Sequence, residues 1–208
     1  MDAELFGVRI STGNKVSVKA SREGDLYIAQ NLPPYALATA AGRGWQAQAT
    51  SAVAGTTTIP TTTALGTLYN GYAGGGKSLV IDRIFANTEA YDAGKNFFFM
   101  WVCIHQLAVT AVSADITIHG LRGGDVTYGG SARFGIGDTV VNDGWHSYGN
   151  SQESNEGNAQ GMSNIDVPIE GKIVIPPTSA VSLHVGVNDS NFTVQVGVSW
   201  YDVQLDLA

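Results

Sequence analysis

The sequence predicts an all-β protein, an antiparallel β-sandwich with a jelly roll as the preferred topology, preceded by an extended N-terminal arm. Only 14% of the 208 residues are charged, and 26 are glycine, which is typical of β proteins with many turns. Several segments alternate apolar and polar residues, as half-buried strands do. No segment has the apolar period of an amphipathic helix. Long polar stretches separate the strands, and jelly rolls accommodate such loops.

The first predicted region, residues 1–63, is an arm that contains a short hairpin and a Thr-rich linker. "KVSVKA" (15–20) and "DLYIAQ" (25–30) alternate, and "SREG" between them is typical of a turn. An isolated two-stranded hairpin is marginal in water, so we expect it to need a second surface. Pro33 and Pro34 follow and lack two amide donors, which prevents a central strand there.

Residues 50–63, "TSAVAGTTTIPTTT", connect the hairpin to the rest of the chain. Eight of these 14 residues are Ser or Thr, and none is charged. β-branched Thr favours extended backbone, whereas Pro60 opposes an interior strand. The segment is therefore either a linker or an extended arm that lies along another surface.

The second predicted region, residues 64–208, is the sandwich body. Its strands are predicted at residues 64–72, 78–86, 97–109, 114–121, 171–177, 180–187 and 192–205. The segment 97–109, "FFFMWVCIHQLAV", is almost wholly apolar, so it should be a central strand covered on both faces. In "ADITIHGL" (114–121), Ile116 and Ile118 should face the core, and Thr117 and His119 should face away.

A polar stretch rich in Gly, Asn and Ser runs from residue 122 to residue 164. It is too long for a plain connector in a compact domain. The aromatic residues Phe134, Trp145 and Tyr148 indicate that part of it packs as a large loop, with a short strand at 138–141.

The charge and cysteine content exclude several classes of protein. The net charge is −7, and an acidic body opposes nucleic-acid binding, which requires clustered Lys and Arg. Cys103 is the only cysteine, so no intrachain disulfide can form, and its apolar surroundings predict a buried, unreactive thiol. The N-terminus lacks the pattern of a signal peptide, and no apolar run is long enough to cross a bilayer. We therefore expect no membrane partner.

No pattern in the sequence predicts an enzyme, a cofactor or a metal site. The histidines at positions 105, 119, 146 and 184 have no metal-binding spacing and should be structural. Nucleophile elbows and phosphate-binding loops are missing. Possible oxygen ligands for a cation fit no EF-hand spacing: Asp138, Asn142, Asp143, His146, Glu153 and Glu156. Possible glycosidase carboxylates cannot be paired from sequence: Asp82, Asp115, Asp125 and Glu170.

Three segments resemble structural proteins of tailed bacteriophages: "SREGDLYIAQNLPPYALATAAGRG", "LYNG…GGGKSLVIDRIFA" and "GKIVIPPTSAVSLHVGV…VSWYDV". Within that group the chain is similar to capsid decoration or cement proteins, many of them jelly rolls. The resemblance implies a virion protein made in the host cytoplasm and bound to the capsid surface as a homotrimer. Its partners would be the major capsid protein or other virion subunits.

Two surfaces are predicted to carry binding. The arm would dock on a neighbouring subunit by strand addition or groove filling, through Leu26, Ile28, Leu32, Pro33, Pro34, Tyr35, Leu37 and Trp45. The alternative is a carbohydrate- or receptor-binding sandwich of a phage head or tail fibre. In that case Trp145, His146 and Tyr148 of the polar loop would contact the ligand.

Overall fold

The computed structural model describes residues 6–8, 15–17, 35–90, 96–105, 111–124, 127–154, 164–188 and 193–205. The chain divides into two compact units, Met1–Leu37 and Ala38–Ala208. In the first unit, strands β1 (Phe6–Val8) and β2 (Lys15–Ser17) pair antiparallel. Strand β2 thus covers only residues 15–17 of the strand predicted at 15–20, and it pairs with β1 at residues 6–8. The strand predicted at 25–30 lies outside the described residues.

The described residues contain one helix, α1 (Ala36–Ala40), which buries no side chain, and otherwise strands and loops. The strands of the second unit are β3 (Gly44–Gln48), β4 (Val53–Ala54), β5 (Gly66–Asn70), β6 (Ser78–Ala90), β7 (Asn96–Ile104), β8 (His119–Gly120), β9 (Ala132–Gly135), β10 (Trp145–Ser154), β11 (Asn164–Pro168), β12 (Val174–Ile175), β13 (Ala180–Val187) and β14 (Thr193–Val203).

These strands form two antiparallel sheets that pack face to face, which confirms the predicted sandwich. One sheet has the order β10-β7-β13-β5-β9. The other has the order β11-β6-β14-β3-β8, and β12 and β4 pair with β6 and β14. We call them the five-stranded and the seven-stranded sheet.

The eight principal strands pair in a nested order. The first pairs with the last, β3 with β14, and the second with the seventh, β5 with β13. The third pairs with the sixth, β6 with β11, and the fourth with the fifth, β7 with β10. Nested pairing folded into two sheets is the topology of a jelly roll.

The core lies between the sheets and follows the period of two that strands impose. Ile84 and Ala86 of β6 are fully buried and meet Leu183 and Val185 of β13 in one apolar cluster. Met100 and Val102 of the predicted central strand are fully buried as well. Strand β7 is an interior strand, second from the edge of its sheet, because β10 and β13 flank it.

The boundary predicted at residue 63/64 is corrected, because β3 belongs to the body. Strand β3 pairs with β14 along five residues, and it buries Trp45 and Ala47 to 8% and 1% exposure. Trp45 is therefore a core residue and not part of a docking arm.

The Thr-rich segment also lies on the body: Thr56 bridges Gly186, Thr63 bridges Thr139, and Pro60 is buried.

Three further predictions differ from the structure. In 114–121 only His119–Gly120 forms a strand, although Ile116 and Ile118 are buried as expected. The alternating burial of residues 114–121 therefore arises because the segment packs on the core, although it forms no continuous hydrogen-bond ladder with a neighbouring strand. The polar stretch 122–164 contains two strands of the five-stranded sheet, β9 and β10, and Phe134 is fully buried. Residues 138–141 form an isolated bridge at Thr139 in place of the predicted strand.

Candidate functional site

The predicted docking residues are described only in part. Leu26, Ile28, Leu32, Pro33 and Pro34 lie outside the described residues. Tyr35 has a left-handed backbone conformation with φ 66°, and Leu37 is 73% exposed, more than the other exposed large apolar side chains of the described part, Ile59 and Val141.

The three residues of the predicted ligand loop do not form one surface. Trp145 is 8% exposed, and its indole Nε1 donates a hydrogen bond of 2.9 Å to the carbonyl of Thr61. Tyr148 is half-buried against the main core, whereas His146 is exposed. Successive residues of a strand point to opposite faces, so Trp145 faces away from the other two. The proposed stacking of a sugar on Trp145 is therefore corrected: this ring closes the outer layer of the five-stranded sheet.

That outer layer contains a chain of buried polar side chains, which we call the serine–histidine network. Ser182 Oγ of β13 lies 2.9 Å from His105 Nε2 and 3.1 Å from Thr67 Oγ1. His105 Nδ1 lies 3.1 Å from Asp143 Oδ2. Ser182 and the His105 side chain are fully buried, and the Asp143 side chain is 20% exposed.

The order serine, histidine, aspartate is that of an activated nucleophile with its base and orienting carboxylate. The surroundings oppose such a reaction. Ser182 lies in the middle of β13, which pairs with β5 on one edge and β7 on the other, so its neighbouring backbone N–H groups are used in the ladders. A cavity of about 180 Å³ reaches His105 and Thr67, but Ser182 does not line it. The arrangement satisfies buried polar atoms and fastens the 138–143 loop to the sheet.

This interpretation predicts a structural effect of Ser182→Ala. The substitution leaves Thr67 and His105 without a shared partner, so we expect a loss of about 1–3 kcal/mol in the free energy of unfolding, measured by urea denaturation. A fluorophosphonate probe should leave the native protein unlabelled. Stoichiometric labelling at Ser182 would contradict the structural role.

A second buried network surrounds Asp202 at the end of β14. Asp202 is 2% exposed, and it accepts hydrogen bonds from Tyr72 (3.0 Å), Trp200 Nε1 (3.1 Å) and Tyr128 (3.2 Å). Burial raises the pKa of the Asp202 carboxyl more than these donors lower it. Burial, followed by the charge of Asp202, also raises the pKa of Tyr128. We call this set the Asp202 network; it links β14 to residues 72 and 128 of two loops.

Two carboxylates meet at Ser113, on the surface. The Ser113 hydroxyl contacts Asp115, and it lies 3.2 Å from Asp138. Burial raises the pKa of Asp138, whereas the Ser113 hydroxyl and the Ile136 amide lower the pKa of Asp115.

Of the other predicted carboxylates, Asp82 and Glu170 line one groove, and Asp125 lies outside the described residues.

The predicted cation ligands are divided among different contacts. Asp143 belongs to the serine–histidine network and Asp138 to the Ser113 contact. Asn142 accepts a hydrogen bond from the Gly144 amide. Glu156 and the side chain of Glu153 lie outside the described part. In that part, no group of three or more His, Cys, Asp or Glu side chains could hold a metal ion.

Cys103 is fully buried in a small apolar cluster with Ala64 and Trp145, as its sequence surroundings predicted. Burial raises the pKa of its thiol. The single helix of the described residues, α1, is too short to cross a membrane.

Neither network was predictable from sequence, because its members are far apart along the chain. His105 and Ser182 are 77 residues apart, and Tyr72 and Asp202 are 130 apart. Only the pairing register brings them together.

Fold and sites define the protein as a jelly-roll β-sandwich with two buried polar networks. A comparison with known families finds no matching family model, and a comparison with curated proteins finds no match.

Proposed function

We propose that the protein is a non-enzymatic virion structural protein, a decoration or cement subunit that binds the capsid exterior through residues 1–37. The observation that carries the proposal concerns the body: among the residues that the structure describes, the five-stranded and seven-stranded sheets and their shared core are built from residues after 37. We therefore assign residues 1–37 a role other than completing the sandwich. The resemblance to capsid decoration proteins supports the same role.

The chemistry of residues 1–37 suits docking. Fewer than about 40 residues rarely sustain their own core, and the hairpin β1–β2 would be marginal alone. The segment nevertheless carries Leu26, Ile28, Leu32 and Tyr35, and Leu37 is largely exposed. Burial of such side chains against another subunit would stabilise both partners.

The distribution of charge favours the same division of roles. Residues 1–37 hold four basic and four acidic side chains, so the whole net charge of −7 belongs to residues 38–208. Like-charged bodies repel one another. A neutral segment avoids that repulsion where subunits meet.

Particle binding tests this function with a matched pair of variants. Leu37 and Val141 are both exposed aliphatic residues, at 73% and 59%, but only Leu37 belongs to the docking segment. We expect Leu37→Ser to weaken binding to purified virus particles about tenfold, and Val141→Ser to leave it unchanged, in a co-sedimentation assay. Deletion of residues 1–37 should abolish binding.

Light scattering on the intact protein should give three times the chain mass of 21.8 kDa. Binding of the deletion variant with unchanged affinity would overturn the docking role.

A further inference from the structure

The two outer faces of the sandwich differ. On the outer side of the five-stranded sheet, Trp145 bonds to Thr61, so the Thr-rich segment covers part of that face. On the outer face of the seven-stranded sheet, a groove of about 270 Å³ crosses β3, β14, β6 and β11. Strands in a sheet are about 4.8 Å apart, so four strands span about 14 Å. This width accommodates two or three sugar rings.

An aromatic ring lies at the centre of this face. Phe85 of β6 is directly opposite Gly197 of β14 and Asp166 of β11. A Cβ atom on Gly197 would lie only 2.3 Å from the Phe85 ring, so the ring lies against the Gly197 backbone. Phe85 is half-buried and lines the groove. The glycine thus allows the ring to lie low on the sheet.

Planar polar side chains surround Phe85 in the same groove: Gln46, Asp82, Arg83, Asn87, Asn164 and Asp166. The pairing register fixes their relative positions, because Gln46 is opposite Ser199, which is opposite Arg83. Asn87 is opposite Asn164 on the other side of the ring. An apolar ring is therefore flanked on both sides by hydrogen-bonding groups.

Several of these groups are already oriented. Arg83 Nη1 lies 3.1 Å from Asp166 Oδ2, and both side chains are about half exposed, at 51% and 48%. Such exposed pairs add little to stability, but they hold a guanidinium with five donors in place. Ser199 Oγ donates to Asp82 Oδ2 at 3.3 Å. Polar groups preoriented on strands lose little conformational entropy when a ligand binds.

From this juxtaposition we propose that the outer face of the seven-stranded sheet binds a neutral oligosaccharide. The apolar C–H face of a sugar would lie on Phe85, and its hydroxyls would bond to the surrounding amides, carboxylates and guanidinium. Amide groups both donate and accept, as vicinal hydroxyls require. The groove holds two carboxylates, Asp82 and Asp166, against one cation, Arg83, which disfavours anionic sugars and nucleic acid.

NMR titration of the intact protein tests the proposal. Cellotriose, maltotriose, chitotriose and lactose would be added separately at millimolar concentration to ¹⁵N-labelled protein. We expect at least one to shift the amides of β3, β6, β11 and β14 around residue 85. Phe85→Leu, which still covers Gly197, should weaken that binding about tenfold. Arg133→Ala, an exposed change on the five-stranded sheet, should have no effect.

If Phe85→Leu fails to fold, Asn87→Ala and Asp166→Ala serve in its place, each expected to weaken binding severalfold. Shifts confined to other parts of the chain, or none with any sugar, would overturn the proposal. Amide shifts that change with protein concentration and not with sugar would also overturn the proposal, because they would indicate that the face pairs with a second copy of the protein. The test is independent of particle binding, since deletion of residues 1–37 should leave the sugar-induced shifts unchanged.

Discussion

A protein that begins at residue 38 is expected to fold and unfold cooperatively, whereas a protein that begins at residue 61 is expected not to fold. The first deletion removes only the unit Met1–Leu37. The second also removes β3 and β4, and with them the buried Trp45 and Ala47. Removal of a buried Trp alone costs about 3–5 kcal/mol, a large share of the roughly 5–15 kcal/mol that holds a domain folded.

The loss of β3 has a second consequence. Strand β14 would keep β6 on one side, but its long edge toward β3 would become unpaired. Exposed edges of this kind promote aggregation. Circular dichroism and urea denaturation of the two proteins measure the difference, and Trp45→Ala in the full chain is the matched point variant. Equal midpoints for the two deletions would contradict the assignment of β3 to the body.

Asp202→Ala is expected to lower the free energy of unfolding by about 2–4 kcal/mol, because Tyr72, Tyr128 and Trp200 lose their common acceptor. Relief of the buried charge offsets part of that loss. Asp202→Asn keeps one acceptor oxygen and should cost less. Asp166→Asn changes a half-exposed carboxylate and is the control, expected within about 0.5 kcal/mol of wild type.

The same carboxyl group predicts a pH dependence of known sign. The pKa of Asp202 is raised in the folded state, so the native protein binds this proton more tightly than the unfolded chain does. Above the pKa of Asp202 in the folded state, the cost of the buried charge lowers the free energy of unfolding in full. Below the pKa of Asp202 in the unfolded chain, this cost is absent. As the pH falls through the folded pKa, the stability of wild type should rise relative to that of Asp202→Asn.

Urea denaturation of wild type and Asp202→Asn between pH 7 and pH 4 measures the difference in their free energies of unfolding. Because both proteins contain all the other carboxylates, the effects of those groups cancel in this difference. A constant difference across this range would contradict the raised pKa.

The strands most clearly predicted from sequence are those whose burial is visible in the local pattern. The segments 78–86, 97–109, 180–187 and 192–205 all contain strands close to the predicted bounds. Strand β10 was missed because it carries Ser, Gly, Gln and Glu in place of an apolar alternation. As the last strand of its sheet, it is held by its pairing with β7 more than by burial.

The sequence by itself determined that the protein is a β-sandwich, because alternating apolar residues and frequent turns specify strands locally. Only the tertiary structure decided where the body begins, since the role of Trp45 depends on pairing with β14, more than 140 residues later. The same holds for the Asp202 network, the serine–histidine network and the face around Phe85. Their members are joined by the register of non-local strands, which local periodicity does not encode.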